Sequence, residues 1–205
     1  MAQGTRERIL DAALELFAQK GYEAVTVSEI AQAVGIKAPS LYKHFAGKQQ
    51  VFDCVVQRMQ QRYAAFAAAQ GLEGDDPVRA AQGYLEADLA SLCAAGRGLF
   101  LFFLHDPYAS KCWKMMQVEQ FKRPEAAQMF RAWNLSAPVA FQSQLFAAFM
   151  QKGRMRAMDP EVAALHFYAP VFYLLNLCYN SPEEEPHALA LIDAHIAQFS
   201  ALYMV

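Results

Sequence analysis

Apolar residues recur at three- and four-residue intervals along most of this 205-residue chain, the period of helices with one buried stripe. Between Arg6 and Lys20, the residues Ile9, Ala13, Leu16 and Phe17 share a face, and Gly21 marks the end of the helix. Two short helical segments follow within Thr26–Lys48. Thr26 and Glu29 have the spacing of a capping box, and Val25 and Ile30 that of a hydrophobic staple. Ile30, Ala33 and Val34 form the expected inward stripe, and Gly35 supplies a left-handed stop. Ile36 plugs the turn. The pattern predicts a second helix from Lys37 to Phe45, with Leu41 and Phe45 inward and Pro39 early enough to cost no hydrogen bond. A longer helix is expected from Lys48 to about Ala69 on Val51, Phe52, Val55, Met59 and Phe66.

Beyond it, Gly71–Pro77 reads as a loop, and Asp76-Pro77 opens a helix reaching Ala95. Gly96-Arg97-Gly98 is expected to break the helix before the apolar run Leu99–Leu104, and His105-Asp106-Pro107 to turn the chain. Further helices are expected over Tyr108–Phe121, over Pro124–Trp133, and from Leu135–Pro138 to Lys152-Gly153. Asp159-Pro160 starts a long apolar helix that Pro170 should kink. After a loop at Ser181–Pro186, a last amphipathic helix carries Leu189, Ile192, Ile196, Phe199 and Leu202. No period-two alternation, internal repeat or low-complexity tract occurs. The expected fold is all-α, with a helix-turn-helix domain over 1–50 and a larger helical domain over 51–205.

Charge changes the picture near the amino end. No carboxylate occurs between Glu29 and Asp53, whereas Lys37, Lys43, Lys48 and the titratable His44 fall inside that interval. With Leu41 and Phe45 inward, Lys37, Ser40, Tyr42, Lys43 and His44 lie toward the outer surface. Lysines, hydroxyls and helix N-termini are groups that bond phosphate oxygens, and a helix-turn-helix presents its second helix to the major groove. A solvated amphipathic helix pair would have the same pattern.

A resemblance separates the two. From Arg6 to about Asp53 the chain resembles the DNA-binding domain of the TetR (tetracycline repressor) family of bacterial regulators. The matching elements are Arg8-Ile9-Leu10-Asp11-Ala12-Ala13, Leu16-Phe17, Lys20-Gly21-Tyr22, Thr26-Val27, Ile30-Ala31, Val34-Gly35, Leu41-Tyr42-Lys43-His44-Phe45 and Lys48. The resemblance implies contacts to double-stranded operator DNA from Thr26, Ser28, Lys37, Ala38, Pro39, Ser40, Tyr42, Lys43, His44 and Lys48. Lys37 departs from the family pattern, which often has a small capping residue there; a lysine cannot cap, so it is read as a phosphate or base contact. The helix after Lys48 would act as the lever between the two regions.

Composition narrows the alternatives. A net charge of −2 argues against polyanion binding over the whole surface, yet leaves room for a local DNA face. Cys54, Cys93, Cys112 and Cys178 form no C-x-x-C pair, which fits buried thiols in a reducing cytosol. The first ten residues reach charge at once, so no signal peptide is expected. Val162–Pro182 contains no Asp, Glu, Lys or Arg. Its His166, Asn176 and Asn180, and the lack of flanking basic residues, favour a buried helix between a core and a partner subunit over a membrane span. A cytoplasmic location follows. No G-x-S-x-G, H-E-x-x-H or glycine-rich phosphate loop occurs, and Pro186 interrupts the di-iron-like spacing of Glu184 and His187. Neither an enzyme nor a cofactor or metal site is expected. A helical ligand-binding or interaction protein that does not touch DNA remains the alternative.

Aromatics and methionines are dense in the second region: Phe100, Phe103, Trp113, Met116, Phe121, Phe141, Phe146, Tyr168 and Phe172. They suit an ordinary bundle core, and as a set they also suit the lining of a cavity. The family resemblance implies the second, a site for a small apolar or aromatic effector with His105, Gln142 and Asn176 as polar anchors. It also implies a homodimer, for which the helices at 138–151 and 161–179 and the last helix are the expected interface. Twofold symmetry would then set two recognition helices about 34–36 Å apart. An effector that favours a different spacing would release the DNA.

Overall fold

The first helix, α1 (Thr5–Lys20), buries Ile9, Leu10, Ala13, Leu14 and Phe17. The structure, a computed structural model, describes residues 4–69, 83, 84, 86 and 89–205. After α1 come α2 (Val27–Val34), α3 (Ala38–Leu41), α4 (Lys48–Ala69), α5 (Leu89–His105), α6 (Ala109–Glu119) and α7 (Pro124–Arg131). A π-helical turn at Ala132–Ser136 leads into α8 (Ala137–Gln151), followed by α9 (Pro160–Asn180), a 3-10 turn at Pro182–Glu184 and α10 (Glu185–Tyr203). Among the described residues the only β pairing is an isolated antiparallel bridge between Met155 and Met204. The fold is all-helical. The Gly71–Pro77 loop and the helix start at Asp76-Pro77 lie outside the described residues.

The chain forms two compact units: Met1–Ala65 with Asp106–Phe130, and Phe66–His105 with Arg131–Val205. The first unit is centred on Phe17, Tyr22 and Phe52, whose ring centroids lie 5.3–6.0 Å apart. Segment 106–130 is fastened to α1 and α4 along its length. The Tyr108 hydroxyl donates to the Val55 carbonyl at 3.1 Å, and Arg58 lies over the Tyr108 ring while bonding Asp11 at 2.8 Å and Glu7 at 3.0 Å. Lys111 pairs with Glu15. Asp106 accepts from Arg62 and from the amides of Tyr108 and Ala109, capping α6 through the turn before it.

The second unit holds a core of Leu145, Phe146, Phe149, Ala163, Ala164 and Phe199, with Phe167 packed against it. Phe146 and Phe199 stack at 5.2 Å, and Phe167 meets Phe199 edge-on at 5.0 Å. Asp159 caps α9, accepting from the amides of Glu161 and Val162, and Pro160 occupies the first turn, where no hydrogen bond is lost. The helix then runs through Pro170 to Asn180.

Several expectations need correction. Gly96-Arg97-Gly98 does not break a helix: α5 passes through all three residues. A Cβ on Gly96 would lie 2.8 Å from Ile196 Cδ1, so the glycine lets α5 and α10 approach closely. No loop separates α7 from α8, because the π turn absorbs the register change at Leu135–Ser136. On α2 the buried residues are Ile30, Ala31 and Val34; Ala33 is exposed. The second helix of the motif is shorter than Lys37–Phe45. Lys37 makes no capping bond, and after Leu41 the chain tightens into i→i+3 turns, with His44 N–H donating to the Leu41 carbonyl at 2.9 Å. Finally, α9 is the one helix among the described residues long and apolar enough to cross a membrane, and only 28% of its most apolar stretch is buried within the chain. Tyr173, 64% exposed, stands on its open face with Val162 and Leu165.

Candidate nucleic-acid interface

The positions of Tyr42, Lys43 and His44 are set by what lies beneath them. Leu41 and Phe45 are essentially inaccessible, and the Arg6 guanidinium covers the Phe45 ring at 5.1 Å. The intervening residues therefore project outward: Tyr42 is 57% exposed, and Lys43 and His44 are also exposed. Lys37 and Pro39 are exposed at the start of α3, with Ala38 and Ser40 half-buried.

The scaffold under this surface is tightly specified. Thr26 Oγ1 accepts from the Glu29 amide at 3.2 Å, and Glu29 Oε2 accepts from the Thr26 amide at 2.8 Å, closing the expected capping box. Lys20 Nζ donates to Glu29 Oε1 at 2.9 Å. The Lys20 bond, then the backbone and hydroxyl bonds of Thr26, hold the Glu29 carboxyl down at about 2. Gly35 has φ 76° and ψ 30°, the left-handed geometry that turns α2 into α3. Arg8 Nη2 donates to the Val34 carbonyl, tying α1 to that turn.

Two expected contact residues are engaged inside the chain. The Thr26 hydroxyl belongs to the capping box, while Ser28 beside it is exposed. Lys48 Nζ donates to the carbonyls of Tyr22 at 2.8 Å and Glu23 at 3.3 Å, and lies 4.2 Å from the Tyr22 ring centroid. It anchors the start of α4 and has one N–H left to offer.

Residues that no local pattern announces complete the scaffold. Arg123 lies 3.8 Å from the Tyr22 ring centroid and donates to Gln49 Oε1 at 2.7 Å, which also accepts from the Tyr22 hydroxyl at 3.0 Å. Glu119 accepts from the Tyr22 amide. No periodic signal could couple positions separated by 97 residues.

The residues expected at an effector site fall into both units. Trp113 and Met116 are buried in the first; Phe121, also there, is 86% exposed. Phe100, Phe103, His105, Phe141, Gln142, Phe146, Tyr168, Phe172 and Asn176 belong to the second. His105 pairs with Glu185 at 2.9 Å, and Asn176 Nδ2 donates to the Phe172 carbonyl one turn back. Gln142 differs: its Oε1 is buried without a hydrogen-bond partner. Burial pushes the thiols of Cys112, Cys93 and Cys178 up, which keeps them protonated near neutrality.

Residues 9–55 match the family model described as bacterial regulatory proteins of the tetR family. In that stretch the chain is similar to the TetR family. It is 43% identical over 65 residues to the HTH-type transcriptional repressor ComR of Escherichia coli K12, a match spanning 32% of this chain and 31% of that repressor. The chain thus matches less than a third of the length of this curated relative. Across nearly the whole chain the fold is shared with solved TetR structures. A TetR-family transcriptional regulator from Mesorhizobium loti aligns with TM-score 0.71 at 21% identity, covering 98% of this chain and 97% of that one. SmeT, the repressor of the Stenotrophomonas maltophilia multidrug efflux pump SmeDEF, aligns with TM-score 0.65 at 22% identity, covering 99% and 92%. SmeT has also been solved with triclosan.

Proposed function

We propose that this protein is a DNA-binding transcriptional repressor that reads its operator as a homodimer and leaves it on binding a small apolar or aromatic effector. The observation that carries the proposal is the outward triplet Tyr42-Lys43-His44, held up by buried Leu41 and Phe45 on a capped and glycine-turned scaffold. In the proposed complex, Lys37, Lys43 and His44 meet bases or phosphates, Tyr42 and Ser40 add hydroxyl contacts, and Ala38 and Pro39 bring the backbone close. Thr26, Ser28 and Lys48 flank this face on the phosphate side, at the start of α2 and of α4. The functional boundary lies near residue 50, with 51–205 serving ligand binding and dimerisation, and α4 carries the chain from one to the other.

The proposed dimer face is built on α8, α9 and α10. Leu135, Val162, Leu165 and Tyr173 are exposed apolar residues on this side, and a groove of about 560 Å³ runs between Val139, Ser143, Glu161 and Leu165. A partner subunit covering it explains why so apolar a helix as α9 is left largely open by its own chain. Effector binding is assigned to the second unit, where Gln142 Oε1 is buried without a hydrogen-bond donor. The relation of SmeT to triclosan supports an aromatic ligand, and its role as a repressor supports the sign of regulation. A differential affinity of about 100-fold between the two dimer states, or about 2.7 kcal/mol, suffices to clear most operators.

The test is a duplex selected from a random pool by the wild-type protein. Tyr42→Ala with Lys43→Ala abolishes its binding and leaves helicity and oligomeric state intact. Undiminished binding by that variant removes the assigned face, and binding without a steep negative dependence on salt removes the DNA reading.

A further inference from the structure

The geometry points to Glu119 as a positioning residue for the DNA-reading surface, a buried carboxylate at the end of α6 that holds the turn between α1 and α2 by its backbone. The inference deepens the repressor reading and rests on it for its consequence at DNA.

Glu119 has no exposed surface, and its Oε1 accepts from the Tyr22 amide at 3.0 Å. Its electrostatic setting is otherwise poor. It is the last residue of α6, where the helix dipole opposes a negative charge, and it meets α1 at that helix's carboxyl end as well. The nearest cation, Lys122 Nζ, stands 3.8 Å away and is itself half-exposed. Glu119 Oε2 has no hydrogen-bond partner, and neither has Arg123 Nη1. A buried carboxylate with one hydrogen bond and an offset ion pair weakens a fold relative to a leucine of similar size. What it supplies here is an acceptor for one particular amide.

Gly21 is shaped to the same contact. Its φ of 81° and ψ of 157° lie in a region that essentially only glycine occupies. A Cβ at this position would come 3.0 Å from Glu119 Oε1 and 3.2 Å from Lys122 Nζ. The chain therefore turns the Tyr22 amide toward α6 by a route no other residue allows, and the carboxylate fills the space a side chain would need.

Tyr22 distributes the constraint. Its carbonyl receives Lys48 Nζ, its hydroxyl reaches Gln49, and its ring packs on Phe17 and Phe52 under the guanidinium of Arg123. One amide held by Glu119 thereby fixes the end of α1, the entry to α2 and the start of α4, the elements on which α3 rests. Segment 106–130, outside the stretch that matches the family model, is thus part of the machinery that aims Tyr42, Lys43 and His44.

The experiment compares full-length Glu119→Ala, Glu119→Asp and Glu119→Gln by hydrogen–deuterium exchange and by affinity for the selected duplex. Alanine removes the acceptor and aspartate keeps the charge but falls one carbon short, so both raise exchange over residues 21–45 at least tenfold and weaken duplex binding at least tenfold. Exchange over 137–203 is unchanged in both. Glutamine still offers Oε1, and it stays within threefold of wild type in both readouts. Wild-type exchange and affinity in the alanine and aspartate variants overturn the assignment. So does a loss in the glutamine variant as large as in alanine, or a rise in exchange spread evenly over the chain. If the wild type selects no duplex, the repressor reading fails, and the local exchange of 21–45 alone decides whether Glu119 holds the turn.

Discussion

Lys20 Nζ lies 2.9 Å from Glu29 Oε1, joining the last residue of α1 to the first turn of α2 across the turn that Tyr22 occupies. Because the same carboxylate closes the capping box with Thr26, one side chain serves both a helix start and the angle between two helices.

This double duty sets a pH dependence. The Glu29 carboxyl is lowered from the ordinary 4.5 to about 2, first by the Lys20 bond and then by Thr26. A carboxylate more acidic in the folded than in the unfolded state stabilises above 4.5, and that stabilisation drains away as pH falls toward 2. Melting temperatures measured across this window fall with acidity. Glu29→Gln keeps a box acceptor but loses the ion pair, so its melting temperature falls less steeply; an identical slope counts against the assignment.

At Gly35 the cost of a side chain is conformational alone, since nothing lies within 4 Å of its Cβ position and φ is 76°. Gly35→Ala is expected to lose about 1 kcal/mol in urea unfolding. Gly35→Asn loses less, because asparagine tolerates the left-handed region. Equal losses contradict a conformational origin.

Gly96 is the opposite case, helical in backbone but crowded by Ile196 Cδ1. Alanine gains about 1 kcal/mol of helix propensity there and gives it back in displacing that methyl group. Ile196→Val deletes the methyl. In the Ile196→Val background, Gly96→Ala therefore stabilises by about 1 kcal/mol more than it does in wild type, read by a double-mutant cycle in chemical denaturation. Additive effects show that the two side chains do not meet.

Gln142→Leu removes a buried carbonyl oxygen that has no partner. Stability is expected to rise by about 1 kcal/mol. Compounds that stabilise the wild type in a thermal-shift screen of aromatic donors lose their shift in this variant. A variant that is more stable and still responds to every compound assigns the anchor elsewhere.

What the amino-acid order determined unaided is what neighbours in sequence decide. Thr26 with Glu29, Gly35 after Val34, Asp159 before Pro160 and the start of α4 at Lys48 depend on groups within a turn or two, so the local pattern names them correctly. The outward face of Tyr42, Lys43 and His44 belongs with these, since Leu41 and Phe45 fix it from either side. Packing between distant segments decided the rest. Gly96-Arg97-Gly98 reads as a break because glycine disfavours helix in isolation, yet packing against α10 outweighs that preference and uses the missing side chain of Gly96 for close approach. The join of segment 106–130 to the amino-terminal helices includes Glu119 and Arg123 meeting Tyr22, contacts between residues about a hundred positions apart. No local periodicity encodes such a contact, because it exists only once the chain has folded back on itself.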